Sequence, residues 1–150
     1  MGMNMIGEIE LAAPRQTVWA MLNDPQILKE CIPGCESLEQ ASDGMLVVVA
    51  TNKVGPIKAR FKGRVQLLDL DPPSSYRIAG EGDGGIAGFA KGSAIVKLEE
   101  LNGDATRLTY EVDAQIGGKL AQLGQRLVNS VAKKLADQFF DRFRSAATQA

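Results

Sequence analysis

The strongest pattern in the chain has a period of two. In residues 57–67, Ile57, Ala59, Phe61, Val65 and Leu67 fall on one side, and Lys58, Arg60, Lys62, Arg64 and Gln66 on the other. Successive side chains of a strand point to opposite faces, so this segment predicts a strand with one buried and one solvated face. Residues 107–116 repeat the pattern: Leu108, Tyr110, Val112, Ala114 and Ile116 oppose Arg107, Thr109, Glu111, Asp113 and Gln115. Residues 45–54, 76–82 and 89–101 read as further strands, and residues 5–12 as a weakly alternating first one. Asp43-Gly44, Gly55-Pro56, Asp71-Pro72-Pro73 and Asn102-Gly103 supply turns. Connections this short leave no room for crossover helices, so neighbouring strands run antiparallel.

Elsewhere the period lengthens. Pro14 suits a first helical turn, and Val18, Trp19, Met21 and Leu22 continue a short amphipathic helix that Asn23-Asp24-Pro25 ends. A second short helix, about 26–30, runs into the turn Cys31-Ile32-Pro33-Gly34-Cys35. After Gly117-Gly118, Leu120, Leu123, Leu127, Val131, Leu135, Phe139 and Phe143 recur every three or four residues. That row predicts one helix over 119–146, about 40 Å long. A sheet with one apolar face must cover it, and only this helix is long enough to do so. The expected architecture is α+β helix-grip: two short helices after the first strand, then about five or six strands curled around the long C-terminal helix, in one domain, 1–150.

Composition narrows the chemistry. The chain has 150 residues, a net charge of −1 and no histidine. Without histidine there is no Ser-His-Asp or Cys-His nucleophile and no usual ligand set for catalytic zinc or non-haem iron. No catalytic residue and no metal site is predicted. No stretch reaches the roughly 18–20 apolar residues of a membrane helix. Residues 1–10 lack the basic start of a secretory signal, and Ile6 stands where a myristoylation signal has Ser or Thr. A cytoplasmic protein is expected, with Cys31 and Cys35 reduced.

Several motifs have plain structural readings. Gly80, Gly82 and Gly85 match G-x-G-x-x-G, but no helical face follows, so a curved or bulged strand pair is expected rather than a nucleotide site. Cys31 and Cys35 are too few for zinc and read as two small buried residues at a turn. The stripe Lys58, Arg60, Lys62, Arg64 reads as a solvated face paired across strands with acids such as Glu81 and Asp83. It lacks the interleaved aromatics of a nucleic-acid surface, and no nucleic acid is expected. Glu99 and Glu100 are adjacent and face opposite ways, so they form no acid/base pair. Small residues dominate the inward faces: Ala50, Ala59, Gly63, Gly80, Gly82, Gly84, Gly88, Ala90 and Gly92. Opposite a long helix they leave room for an internal apolar cavity. Face assignment gives its lining as Met21, Phe61, Ile78, Phe89, Tyr110, Leu123, Leu127, Val131 and Leu135.

The chain resembles the CoxG family of carbon monoxide dehydrogenase accessory proteins, within the START-like (SRPBCC) superfamily. The resemblance is carried by Ala13-Pro14-Arg15, Leu22-Asn23-Asp24-Pro25, Cys31-Ile32-Pro33-Gly34-Cys35-Glu36, Val54-Gly55-Pro56-Ile57, Gly88-Phe89-Ala90-Lys91-Gly92 and Gly117-Gly118-Lys119-Leu120-Ala121. It implies an accessory protein of a carbon monoxide dehydrogenase-like molybdenum hydroxylase, at work on the inner face of the cytoplasmic membrane. It also implies a bound hydrophobic small molecule, a quinone or lipid, with no covalent cofactor. Some family members continue into a hydrophobic C-terminal segment, whereas this chain stops at Ala150. Peripheral membrane or partner contact is therefore expected through apolar loops, Ile32-Pro33-Gly34 and Ile86-Ala87-Gly88-Phe89. Two other readings remain: an assembly or recruitment factor with a filled core, and a START-like cyclase or lyase working through Tyr76 and Tyr110.

Overall fold

The structure, a computed structural model, describes residues 1–149. Its elements follow in order: β1 (Gly2–Leu11), α1 (Arg15–Leu22), α2 (Pro25–Cys31), β2 (Cys35–Gln40), β3 (Leu46–Val54), β4 (Ile57–Asp71), β5 (Ser75–Asp83), β6 (Phe89–Asn102), β7 (Ala105–Gly117), α3 (Lys119–Gln122) and α4 (Gln125–Gln149). The strands form one curved antiparallel sheet in the order β1-β7-β6-β5-β4-β3-β2. Meander connections explain every neighbour except β1, which returns to pair with β7. The helix-grip α+β architecture read from the sequence is the one observed.

Local chemistry sets the element ends. Asp24 caps α2: its carboxylate accepts a 2.9 Å hydrogen bond from the Gln26 amide, and Pro25 opens the helix. Pro14, expected inside the first turn of α1, lies instead just before it in extended geometry. β4 keeps its alternation as far as Leu68. A register shift between Leu68 and Asp71 then leaves Leu70 53% exposed.

The C-terminal helix is not continuous. Gly124 (φ 90°) separates the short α3 from α4. A residue with positive φ cannot continue a right-handed helix, and glycine adopts that conformation without steric cost. The heptad-like row of leucines conceals this break because Leu120, Leu123 and Leu127 stay apolar across it.

α4 packs against β1, β3, α1 and α2, and its two halves meet different surroundings. The C-terminal half closes a dense core. Val18, Leu108 and Phe143 are fully buried there, with Leu11, Cys31 and Tyr76 beside them. Trp19 meets Tyr76 edge-on, Tyr110 stacks on Phe140, and Phe139 stacks on Phe143. The buried Thr106 hydroxyl donates to the Ala13 carbonyl at 2.8 Å and ties the β1–α1 turn to β7. These six aromatics leave only Phe61 and Phe89 for the rest of the molecule. The N-terminal half of α4 therefore spans a face built from small side chains.

On the outer face, the expected partners of the basic stripe are replaced. Lys62 and Arg64 do stand opposite Asp83 and Glu81 in register. The ion pairs form elsewhere: Arg60 with Glu36 at 2.7 Å and Arg64 with Asp43 at 3.6 Å. β2 and the β2–β3 turn bring those acids to the stripe from the other flank, and the arginine side chains reach them first.

Candidate ligand-binding cavity

An apolar hollow lies on the inner face of the sheet, covered in part by the N-terminal half of α4. It has two lobes that share Phe61, Gly82, Ala90 and Ala114 in their walls. One lobe, of about 400 Å³, runs over β3–β7, between Ile32, Val48, Val65, Ile78 and Val112. The other, of about 350 Å³, runs under the helices, between Met3, Val54, Ile116, Leu120, Val128, Val131, Ala132 and Leu135. Hollows of this size and lining take drug-sized apolar molecules.

Backbone geometry explains why the space stays empty of side chains. A Cβ built on Gly82 meets nothing within 4 Å, so this glycine opens directly onto the hollow. Gly92 is different: a Cβ there would lie 2.2 Å from the Asp113 carbonyl oxygen. It permits close approach of β6 and β7 rather than empty space. The G-x-G-x-x-G run thus serves the sheet: Gly80 and Gly82 lie in β5, and Gly85 begins a single 3-10 turn before β6.

The hollow holds almost no polar chemistry. Glu81 and Lys91 border the first lobe but are exposed, on positions that alternate outward. Asn52 is the polar side chain that β3 turns inward, on the same face as Leu46, Val48 and Ala50. Its Nδ2 donates to the Pro33 carbonyl at 3.2 Å. The two inward tyrosines sit in the packed end. Burial pushes the Tyr76 phenol well above its ordinary range. Burial, then the nearby Asp137 carboxylate, raises that of Tyr110. Burial also raises the thiols of Cys31, which ends α2, and Cys35, which begins β2, so neither is a poised thiolate.

Four of the nine residues expected around the cavity line it: Phe61, Ile78, Val131 and Leu135. Met21 and Tyr110 instead belong to the dense aromatic end. Leu123 packs with the cluster around Met3 and Ile116, and Leu127 covers Gly55. Phe89 stands on the outer face, 49% exposed, because Gly88 (φ 118°) starts β6 in the register that turns Ala90 inward. Of the two loops expected to be apolar and exposed, the segment 86–89 presents Ile86 (86% exposed) and Phe89 to solvent. In the other, Pro33 is buried, Ile32 faces the first lobe, and Gly34 packs on the Thr51 carbonyl. Sequence reasoning missed Asn52, although alternation along β3 placed it inward.

A curved antiparallel sheet gripping a C-terminal helix over an apolar hollow defines a START-like fold. Solved structures agree. A conserved protein from Geobacillus kaustophilus is 33% identical, with a TM-score of 0.92 over 98% of this chain and 96% of that one. The Zhui aromatase/cyclase from Streptomyces sp. R1128 (17% identity, TM-score 0.71, 99% and 95% covered) shares the fold. So does a START superfamily protein from Mycobacterium smegmatis (14%, 0.73, 97% and 97%). No curated protein sequence matches the chain. The family model of CoxG, a carbon monoxide dehydrogenase subunit, matches residues 7–148, and the chain belongs to that family. Among the described residues, no helix is long and apolar enough to cross a membrane.

Proposed function

We propose that this chain is a CoxG-type accessory protein of a carbon monoxide dehydrogenase-type molybdenum hydroxylase. It holds a hydrophobic molecule, a lipid or quinone, in the hollow and helps bring the enzyme to the cytoplasmic membrane. The observation that carries the reading is the pair of adjoining apolar lobes walled by Gly63, Gly80, Gly82, Ala90 and Ala114. Family membership supports the enzyme partner. The membrane role is supported by Ile86 and Phe89, two large apolar side chains held in solvent near Lys91 and Lys119. Apolar side chains beside cations suit the surface of an anionic bilayer.

A role without catalysis is supported by the placement of the titratable groups. Tyr76 and Tyr110 are packed against Trp19 and Phe140, and neither lines either lobe. Titration of the purified protein with a short-chain quinone tests the reading. Saturable binding at one site per chain is expected, and an absence of saturable binding for both quinone and phospholipid would overturn it.

A further inference from the structure

The open sheet has two edge strands, β1 and β2. β2 is blunted: it has six residues, a register shift between Cys35 and Ser37, and α2 packed beside it. Short, bulged, covered edges resist pairing with another chain. β1 has none of these devices. Its ten residues pair with β7 in one unbroken register, and it contains no proline and no lysine. Ile6, in its middle, is 78% exposed. Met1 and Ile116 exchange both backbone hydrogen bonds, at 3.0 and 2.7 Å, so the odd-numbered residues of β1 turn their N–H and C=O groups to β7. Those of Asn4, Ile6, Glu8 and Glu10 therefore point away from the sheet, and none has a partner among the described residues. Gly2 shares this free edge, where its carbonyl accepts from Gln125 Nε2 at 2.8 Å. A straight row of unpaired backbone groups is a template for one more strand.

We infer that β1 is a self-association edge, and that its occupant is a second copy of this chain, joined β1 to β1 antiparallel across a twofold axis at Ile6. Along this edge only even-numbered positions can bond even-numbered ones. With Ile6 opposite Ile6, all ten residues pair, Asn4 faces Glu8 and Gly2 faces Glu10, so no like charges meet. Registers displaced either way leave strand ends unpaired, and those displaced furthest toward Leu11 set Glu8 against Glu8 or Glu10. Arg107 already holds Glu8 at 3.0 Å and Glu10 at 3.6 Å, which lowers the charge of the edge. Two seven-stranded sheets become one, and the exposed isoleucine is covered by its own copy.

Sedimentation velocity of the full chain, run from about 1 to 100 μM, reads the equilibrium. Wild type should pass from one to two chains per particle over that range. Ile6→Lys sets two ammonium groups together on the axis and should hold the chain monomeric. The side chain it replaces is exposed, so its circular dichroism should match wild type. Two variants of the exposed Asn4 test the register, because each acts twice per dimer on Glu8 of the second copy. Asn4→Lys should tighten the dimer, and Asn4→Asp should weaken it, by about two- to thirtyfold. A wild type that stays monomeric to about 100 μM, as it would if this edge served a strand of another protein, overturns the inference. So does an Ile6→Lys dimer as stable as the wild-type one, or an equal shift for both Asn4 variants.

Discussion

The ring of Phe61 occupies the space that a side chain on Gly84 would need. A Cβ built on Gly84 would lie 2.5 Å from Phe61 Cε1 and 2.8 Å from Cδ1. The glycine therefore lets an aromatic ring stand between the two lobes. Phe61→Ala should join them into one larger hollow, shifting preference toward longer or bulkier ligands. Because the ring is only half-buried, the stability loss should fall below the roughly 3–5 kcal/mol typical of a fully buried Phe→Ala change. Gly84→Ala should move the ring and alter affinity with little effect on stability, since its φ of −104° suits alanine. Chemical denaturation alongside probe titration measures both quantities.

Two glycines on neighbouring strands should respond in opposite ways. Gly82→Leu sends a side chain into open space, where it competes with the ligand. Overpacking of about 1–3 kcal/mol against a bound molecule corresponds to roughly tenfold or greater loss of affinity. The thermal midpoint of the free protein should hold or rise. Gly92→Ala drives a methyl against the Asp113 carbonyl, so it should lower the midpoint whether or not ligand is present. Thermal melts with and without diphenylhexatriene separate the two effects.

The contrast between those glycines marks what the sequence discloses. Alternation across residues 57–67 and 107–116 is legible because a one-residue slip would expose the whole apolar set. The same regularity misplaces Phe89, since the phase of β6 is set by Gly88 and not by the alternation itself. In the C-terminal helix, apolar spacing says only that Leu127 and Leu135 face inward. It does not say that Leu127 lands on Gly55 while Leu135 lands on the hollow. That division follows from where the six clustered aromatics pack, a long-range property. Asn52 was legible from the phase of β3, but its bond to Pro33 depends on a turn nearly twenty residues earlier.

The exposed pair at the β5–β6 turn should govern contact with bilayers. Each large apolar side chain moved out of water contributes about 1.5–3 kcal/mol. Ile86→Asp and Phe89→Asp should each reduce co-sedimentation with anionic phosphatidylserine vesicles roughly tenfold or more. The fold should be unaffected by Ile86→Asp, because Ile86 is 86% exposed; Phe89→Asp also removes a ring that lies over Gly117, so its fold is checked by circular dichroism. Equal binding by wild type and the double variant would remove this loop from any membrane role.

Hydrogen bonds from Arg60 and Thr51 hold the Glu36 carboxyl below the usual carboxylate range. A carboxyl depressed in the folded state adds stability above its unfolded value, and that contribution is lost as pH falls through the folded value. Arg60→Gln should therefore raise the Glu36 midpoint toward the ordinary range and narrow the acid window over which stability declines. An NMR titration of the Glu36 side chain reads the shift directly. An unchanged midpoint would mean that the ion pair does not persist in solution.

The occupancy of the hollow is open to direct measurement by native mass spectrometry of freshly purified protein, wild type beside Gly82→Leu. The expected wild-type spectrum contains a non-covalent adduct of one hydrophobic molecule per chain, released on collisional activation and strongly reduced in Gly82→Leu. Bare protein mass in both samples, with no adduct regained on adding quinone, quinol or phospholipid, would contradict a ligand-carrying role.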